Sequence, residues 1–163
     1  MTEALAIREK HDGALGDRSS VRLWLRLLSC TIAMEKDVQR RFTARGATLA
    51  RFDVLAALDR DRDGMTMGAL SRALLVSNGN VTQLVQKLAK DGLVQIAPSP
   101  ADRRASIVRL TPHGRIEFAG HAAAHHDWID ALLAGMDAET RESLYQALGA
   151  LKRSIAKGQS LGS

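Results

Sequence analysis

The stretch SNGNVTQLVQKLAKDGLV, residues 77–94, decides how this chain folds. Ser77 is a suitable N-cap, and Val81, Leu84, Val85 and Leu88 follow at the i, i+3, i+4, i+7 spacing that gives a helix one apolar stripe. At about 100° per residue, Gly79, Gln83, Gln86 and Lys90 fall opposite that stripe, flanked by Asn80, Thr82 and Lys87. The outward face is amide, hydroxyl and ammonium, with no carboxylate before Asp91. Amides can pair with adenine edges and lysine with guanine or phosphate, so this inventory suits a helix laid in a DNA major groove. Gly79 lets a backbone approach closely there, although a solvated helix with a tolerated glycine would carry the same pattern.

The neighbours narrow the choice. Downstream, LVQIA and SIVRL flank PSPADRR, a proline-rich turn that predicts a β-hairpin with Arg103 and Arg104 at its tip. Tip arginines suit a narrow minor groove, and Asp102 beside them can hold and aim a guanidinium. Upstream, Thr66 opens a short helix with Met67, Leu70 and Leu74 inward. Thr48 caps a helix carrying Leu49, Phe52, Leu55 and Leu58, and Gly64 in DRDRDG ends the connection. Helix, turn, helix, hairpin is a DNA-docking order.

Long helices flank this middle. From Val21 to Phe42 the apolar positions are Trp24, Leu27, Leu28, Thr31, Met34, Val38 and Phe42, with Leu25 and Ile32 on a second face. Thr111 and Pro112 begin a helix carrying Ile116, Ala119, Ala123, Ile129 and Leu132 to a stop at Gly135. Asp137 caps a last helix whose Leu144, Leu148, Leu151 and Ile155 form one seam. These helices offer more apolar surface than the small middle can cover, and a second copy of the chain is the simplest cover. Residues through Arg18 lack apolar period and read as a mobile arm.

Composition fits this organisation. A chain of 163 residues, 45% hydrophobic and 4% aromatic, holds enough for one helical domain with a core. No apolar run reaches the roughly 18 residues of a membrane span, and the N-terminus has acids where a secretory signal would be basic, so a cytoplasmic chain without membrane partners is expected. Cys30 is the sole cysteine, which excludes an intrachain disulfide and a cysteine-based metal cluster and suggests buried packing. The net charge is +5, and the basic excess lies wholly between residues 21 and 111. Such a patch attracts phosphate-rich partners. No nucleophile elbow, phosphate loop or acid pair appears, so neither an enzyme nor a cofactor is expected. His121, His125 and His126 with Asp127 contain an i, i+4 pair open to a metal, but no third ligand is spaced nearby and no metal site is assigned.

The run DVLAAL, then LSRALLVSNGNVTQLVQKLAKDGLV, then PADRRASIVRLTPHG resembles the MarR family of winged helix-turn-helix transcriptional regulators. The likeness is close over residues 48–115 and extends by pattern to the flanking helices. It implies a mainly α fold with a small β-wing, divided into an arm (1–18), dimerisation helices (19–45 and 112–158), a winged helix-turn-helix domain (46–111) and a flexible tail (159–163). The recognition helix falls on Ser77 to Lys90 and the wing on Ile96 to Val108. Double-stranded DNA would then meet Ser77, Asn78, Gly79, Asn80, Thr82, Gln83, Gln86 and Lys87, with Arg104 at the wing tip beside Arg103 and Asp102 as its partner acid. Gln95 departs from the family, which more often has a charged residue at the base of the wing.

The resemblance also implies an obligate homodimer acting as a repressor, with an effector cavity between the first, second and fifth helices. RFDVLAALDR, LLVSNGNVT and APSPADRRASIVRLT are similar to MarR-type regulators of aromatic-acid breakdown, some of which respond to hydroxycinnamoyl-coenzyme A thioesters. The expected effector is thus an aromatic acid or its coenzyme A thioester. Its candidate contacts are Trp24, Cys30, Met34, Phe52, His125 and Trp128, with Arg22, Arg26, Arg40 and Arg41 for an anionic ligand. A metal-responsive regulator and a non-specific DNA-binding protein are the alternatives.

Overall fold

The computed structural model describes residues 18–99 and 105–161, which form two compact units, one through His125 and one from His126. The first unit contains α1 (Ser19–Ala44), α2 (Leu49–Arg60), β1 (Met65–Thr66), α3 (Met67–Leu74), α4 (Asn78–Lys90), β2 (Val94–Pro98), β3 (Ser106–Leu110) and the first half of α5 (Pro112–Leu133). It is mainly helical with a small antiparallel sheet in the order β1-β3-β2, the class read from the sequence. β2 and β3 pair from Val94↔Leu110 to Pro98↔Ser106, and the Ser99 N–H donates to the Ala105 carbonyl at 2.8 Å. The tip beyond, with Asp102, Arg103 and Arg104, lies outside the described residues.

The helix starts follow from the caps. Thr48 accepts from the Arg51 N–H at 3.2 Å, Thr66 from Ala69 at 3.2 Å, Ser77 from Asn80 at 3.4 Å and Thr111 from Gly114 at 2.9 Å. Gly64 is demanded by the backbone: its φ is +87°, and a Cβ there would lie 2.6 Å from the Val108 carbonyl oxygen. Gly114 likewise lets α5 begin against the Leu93 carbonyl, which a Cβ would strike.

One core closes around α2, α3, α4 and the sheet. Val54, Leu55, Leu58, Leu70, Val81, Val85, Leu88 and Val108 are buried together, with Met67, Leu74 and Leu84 packed at its edge. β1 is a strand that the sequence reading does not anticipate: two residues ahead of α3 pair Met65↔Val108 and Thr66↔Ile107. They tie the start of α3 to the wing.

The flanking helices depart from expectation. In α1 only Leu25, Val38 and Phe42 are buried. Trp24 is 59% exposed and Cys30 is exposed, so neither belongs to the core of this chain. On α5, Ile116, Ala119 and Ala123 are exposed, whereas Gly114 and Ala124 are buried and Phe118 packs on the core. Spacing identifies an apolar face, not the surface that covers it. The second unit holds the rest of α5 and α6 (Ala138–Leu161), capped where Asp137 accepts from the Thr140 N–H at 2.7 Å. α6 runs through residues 159–161, where the sequence predicts a flexible tail. Among the described residues no helix is long and apolar enough to cross a membrane.

Candidate nucleic-acid interface

The two faces of α4 separate as its spacing requires. Val81, Val85 and Leu88 are buried, and Leu84 is half-buried rather than central. Asn78, Gly79, Asn80, Gln83, Gln86, Lys87 and Lys90 lie on the accessible side, as does the capping Ser77. Thr82 is half-buried, and its hydroxyl donates to the Asn78 carbonyl at 2.8 Å, which leaves its oxygen to accept. A Cβ at Gly79 would meet nothing within 4 Å, so no internal contact requires glycine there.

The electrostatics of this face are one-sided. From Gly64 to Lys90 the chain has no Asp or Glu, while Arg72 and Lys87 are exposed cations. The first acid, Asp91, caps the end of α4 and is bound by Arg51 of α2 at 2.7 Å. That ion pair fixes the end of α4 to α2 and turns the carboxylate's charge toward a guanidinium. Nothing in the sequence announces it, because a contact between residues forty positions apart has no local signature. Gln95 is exposed on β2, consistent with a solvent-facing position at the base of the wing.

The candidate effector residues divide into separate groups. Phe52 and His125 meet, with ring centroids 4.7 Å apart, inside a cluster that also holds Phe42 at 4.9 Å from Phe52 and Phe118 at 5.5 Å. His121 lies edge-on to Phe42 at 5.8 Å and 3.2 Å from Glu117. Both histidines are thus engaged with aromatic neighbours, and among the described residues no group of three or more His, Cys, Asp or Glu is placed to hold a metal ion. Arg22 and Arg26 line a shallow surface pocket of about 210 Å³ with Ser19 and Leu23, toward the other end of α1. Arg40 and Arg41 both bond to Asp37, and the Arg41 guanidinium first, then Arg40, holds the Asp37 carboxyl below its ordinary value against the opposing effect of burial. Both cations, expected to contact an anionic ligand, are thus shared with an acid of their own helix. Met34 is half-buried, and Trp128 is half-buried within the second unit.

Comparison with known proteins bears on the family and the fold. A profile described as the MarR family matches residues 45–105. The transcriptional activatory protein BadR of Rhodopseudomonas palustris is 38% identical over 96 residues, 58% of this chain and 55% of BadR, so the chain spans little more than half the length of that relative. The crystal structure of a MarR family transcriptional regulator from Silicibacter pomeroyi superimposes with a TM-score of 0.74 at 34% identity, covering 86% of this chain and 99% of that one. A mutant MarR from E.coli complexed with operator DNA shares the fold, with a TM-score of 0.73 at 21% identity over 81% of this chain and 94% of its own.

Proposed function

Because the chain belongs to the MarR family of transcriptional regulators, we propose that it is a homodimer that binds a pseudo-palindromic operator and leaves it when an aromatic effector binds. The observation that carries this reading is the acid-free outward face of α4, with amides at Asn78, Asn80, Gln83 and Gln86 and a cation at Lys87 over a closed apolar core. The face enters the major groove; Ser77 and Thr82 contact its margins, and Gly79 admits close approach. Arg103 and Arg104 at the wing tip enter the adjacent minor groove, with Asp102 aiming Arg104. Two copies place their α4 helices about 34 Å apart, one turn of DNA. The dimer forms through α1, α5 and α6, a reading supported by the exposed Leu144, Leu148 and Ile155 on one face of α6.

The effector is an aromatic acid or its coenzyme A thioester, bound beside the Phe52 and His125 rings, with Arg22 and Arg26 toward the phosphates. It acts only if it binds the arrangement that does not fit DNA better than the one that does. Repression is the simplest outcome for a dimer that occupies its own upstream region and leaves on ligand binding. BadR is named an activatory protein, so the test reads transcription as well as binding.

That test titrates the protein on the duplex upstream of its own coding sequence and on a scrambled duplex, then adds hydroxycinnamoyl-coenzyme A, the free acid, coenzyme A alone or zinc. Preference for the upstream duplex and its release by the thioester at micromolar concentration are expected. Equal binding to both duplexes would make this a non-specific DNA-binding protein. Zinc-dependent binding lost in His121→Ala or His125→Ala would replace the organic effector with a metal.

A further inference from the structure

The turn between α3 and α4 carries an apolar side chain that the folded chain does not use. Leu75 ends α3 with φ 55° and ψ 35°, and it is the single non-glycine with positive φ among the described residues. Glycine or asparagine adopts that conformation readily, whereas a leucine Cβ crowds the following carbonyl. The strain brings no burial in return, because Leu75 is 91% exposed and the adjoining Val76 is 44% exposed. The turn itself is held by main-chain bonds and a hydroxyl: Leu75 N–H donates to Arg72 O at 3.4 Å, Val76 N–H to Ser71 O at 3.2 Å, and the Ser71 hydroxyl to Val76 O at 2.5 Å. None of these needs the leucine side chain. A strained residue that buries nothing in its own fold points to a partner outside it.

We propose that Leu75, with Val76 beside it, packs against the C–H surface of the DNA duplex at the edge of the groove that α4 enters, on a thymine methyl or a deoxyribose edge. The proposal rests on the DNA reading above and extends it to residues outside the recognition helix. Leu75 lies two positions before Ser77, the cap of α4, and shares its solvent-facing turn. The surrounding surface fixes the partner's chemistry: no carboxylate occurs from Gly64 to Lys90, and Arg72, Lys87, Asn78 and Asn80 are exposed on this stretch of chain. An isolated apolar contact among cations and amides matches a polyanion that displays methyl groups between acceptor edges, which describes thymine in the major groove.

The experiment uses the full chain, wild type and the Leu75→Gly and Leu75→Asn variants, on the upstream duplex made with thymine or with uracil throughout, and on a scrambled duplex. Both variants should melt no earlier than wild type yet bind the thymine duplex about fourfold more weakly or worse, the worth of one buried methyl group. If the methyl is the contact, wild type loses a similar factor on the uracil duplex and the variants lose none. If the deoxyribose edge is the contact, the variants are weaker on both duplexes by the same factor. Variants that bind both as wild type does overturn the proposal while the preference for upstream over scrambled DNA stands. Variants that both melt early overturn it by showing that Leu75 supports the fold. Loss of the upstream preference in wild type overturns the functional reading and this proposal with it.

Discussion

Of the 12 residues of α2, six are buried: Phe52, Val54, Leu55, Ala56, Ala57 and Leu58. In the 24 residues of α6 no described side chain is buried, although Leu144, Leu148, Leu151 and Ile155 recur at helical spacing. The two helices differ in what lies over their apolar faces. α2 meets α3, α4 and β3 within one short stretch of chain, so its side chains close a core without help. α6 presents a seam with Leu144, Leu148 and Ile155 exposed, which the proposed second copy would cover. Closure within the chain thus marks the part that holds the helix proposed to face DNA, and exposure marks the part proposed to pair copies.

The largest effect should come from the closed region. Leu88→Ala, at a fully buried position, should cost about 2–5 kcal/mol in urea unfolding compared with wild type at equal protein concentration. A loss below about 1 kcal/mol would show that the core around α4 is not as closed as its burial implies. Leu148→Glu in α6, where the native side chain is 36% exposed, should do the reverse. It should leave the local fold intact and convert dimers to monomers in sedimentation at micromolar concentration. Wild-type monomers under the same conditions would remove the proposed difference between the two regions.

A smaller effect sharpens the comparison within α2. Burial first, and then the nearby Glu35 carboxylate, raise the Asp53 carboxyl above its ordinary value of 3.8, with Arg60 acting in the opposite direction. A carboxyl raised in the folded state favours folding while protonated, and that contribution is lost as pH rises through the folded value. Asp53→Asn should therefore be modestly more stable than wild type at neutral pH, with the difference vanishing below about pH 3.8. A variant less stable than wild type at neutral pH would mean that the Asp53 charge is satisfied rather than penalised.

The same division governs what could be read from the sequence. Thr48, Thr66, Ser77, Thr111 and Asp137 mark helix starts that the backbone bonds reproduce, because capping is local chemistry. The α4 stripe is legible for the same reason, except that Leu84 sits at the rim of the core. Trp24, Cys30 and Ile116 are exposed against expectation because periodicity does not name the surface that covers a face. The β1 pairing and the Arg51–Asp91 bridge depend on partners distant in the chain and leave no local signal. Leu75 does leave one: LLVSN has no glycine where a helix-turn-helix turn takes a left-handed residue.

The central claim is that one face of α4 closes the core while the other reads DNA, and substitution at Gln83, with Gln86 in parallel, tests it most directly. Both side chains are exposed. Gln83→Ala or Gln86→Ala should lower the preference for the upstream over the scrambled duplex by about 1–3 kcal/mol, the worth of a lost amide–base pairing, with the thermal midpoint unchanged. Preference unchanged in both variants, or an early melt in either, would contradict the assignment of that face to DNA.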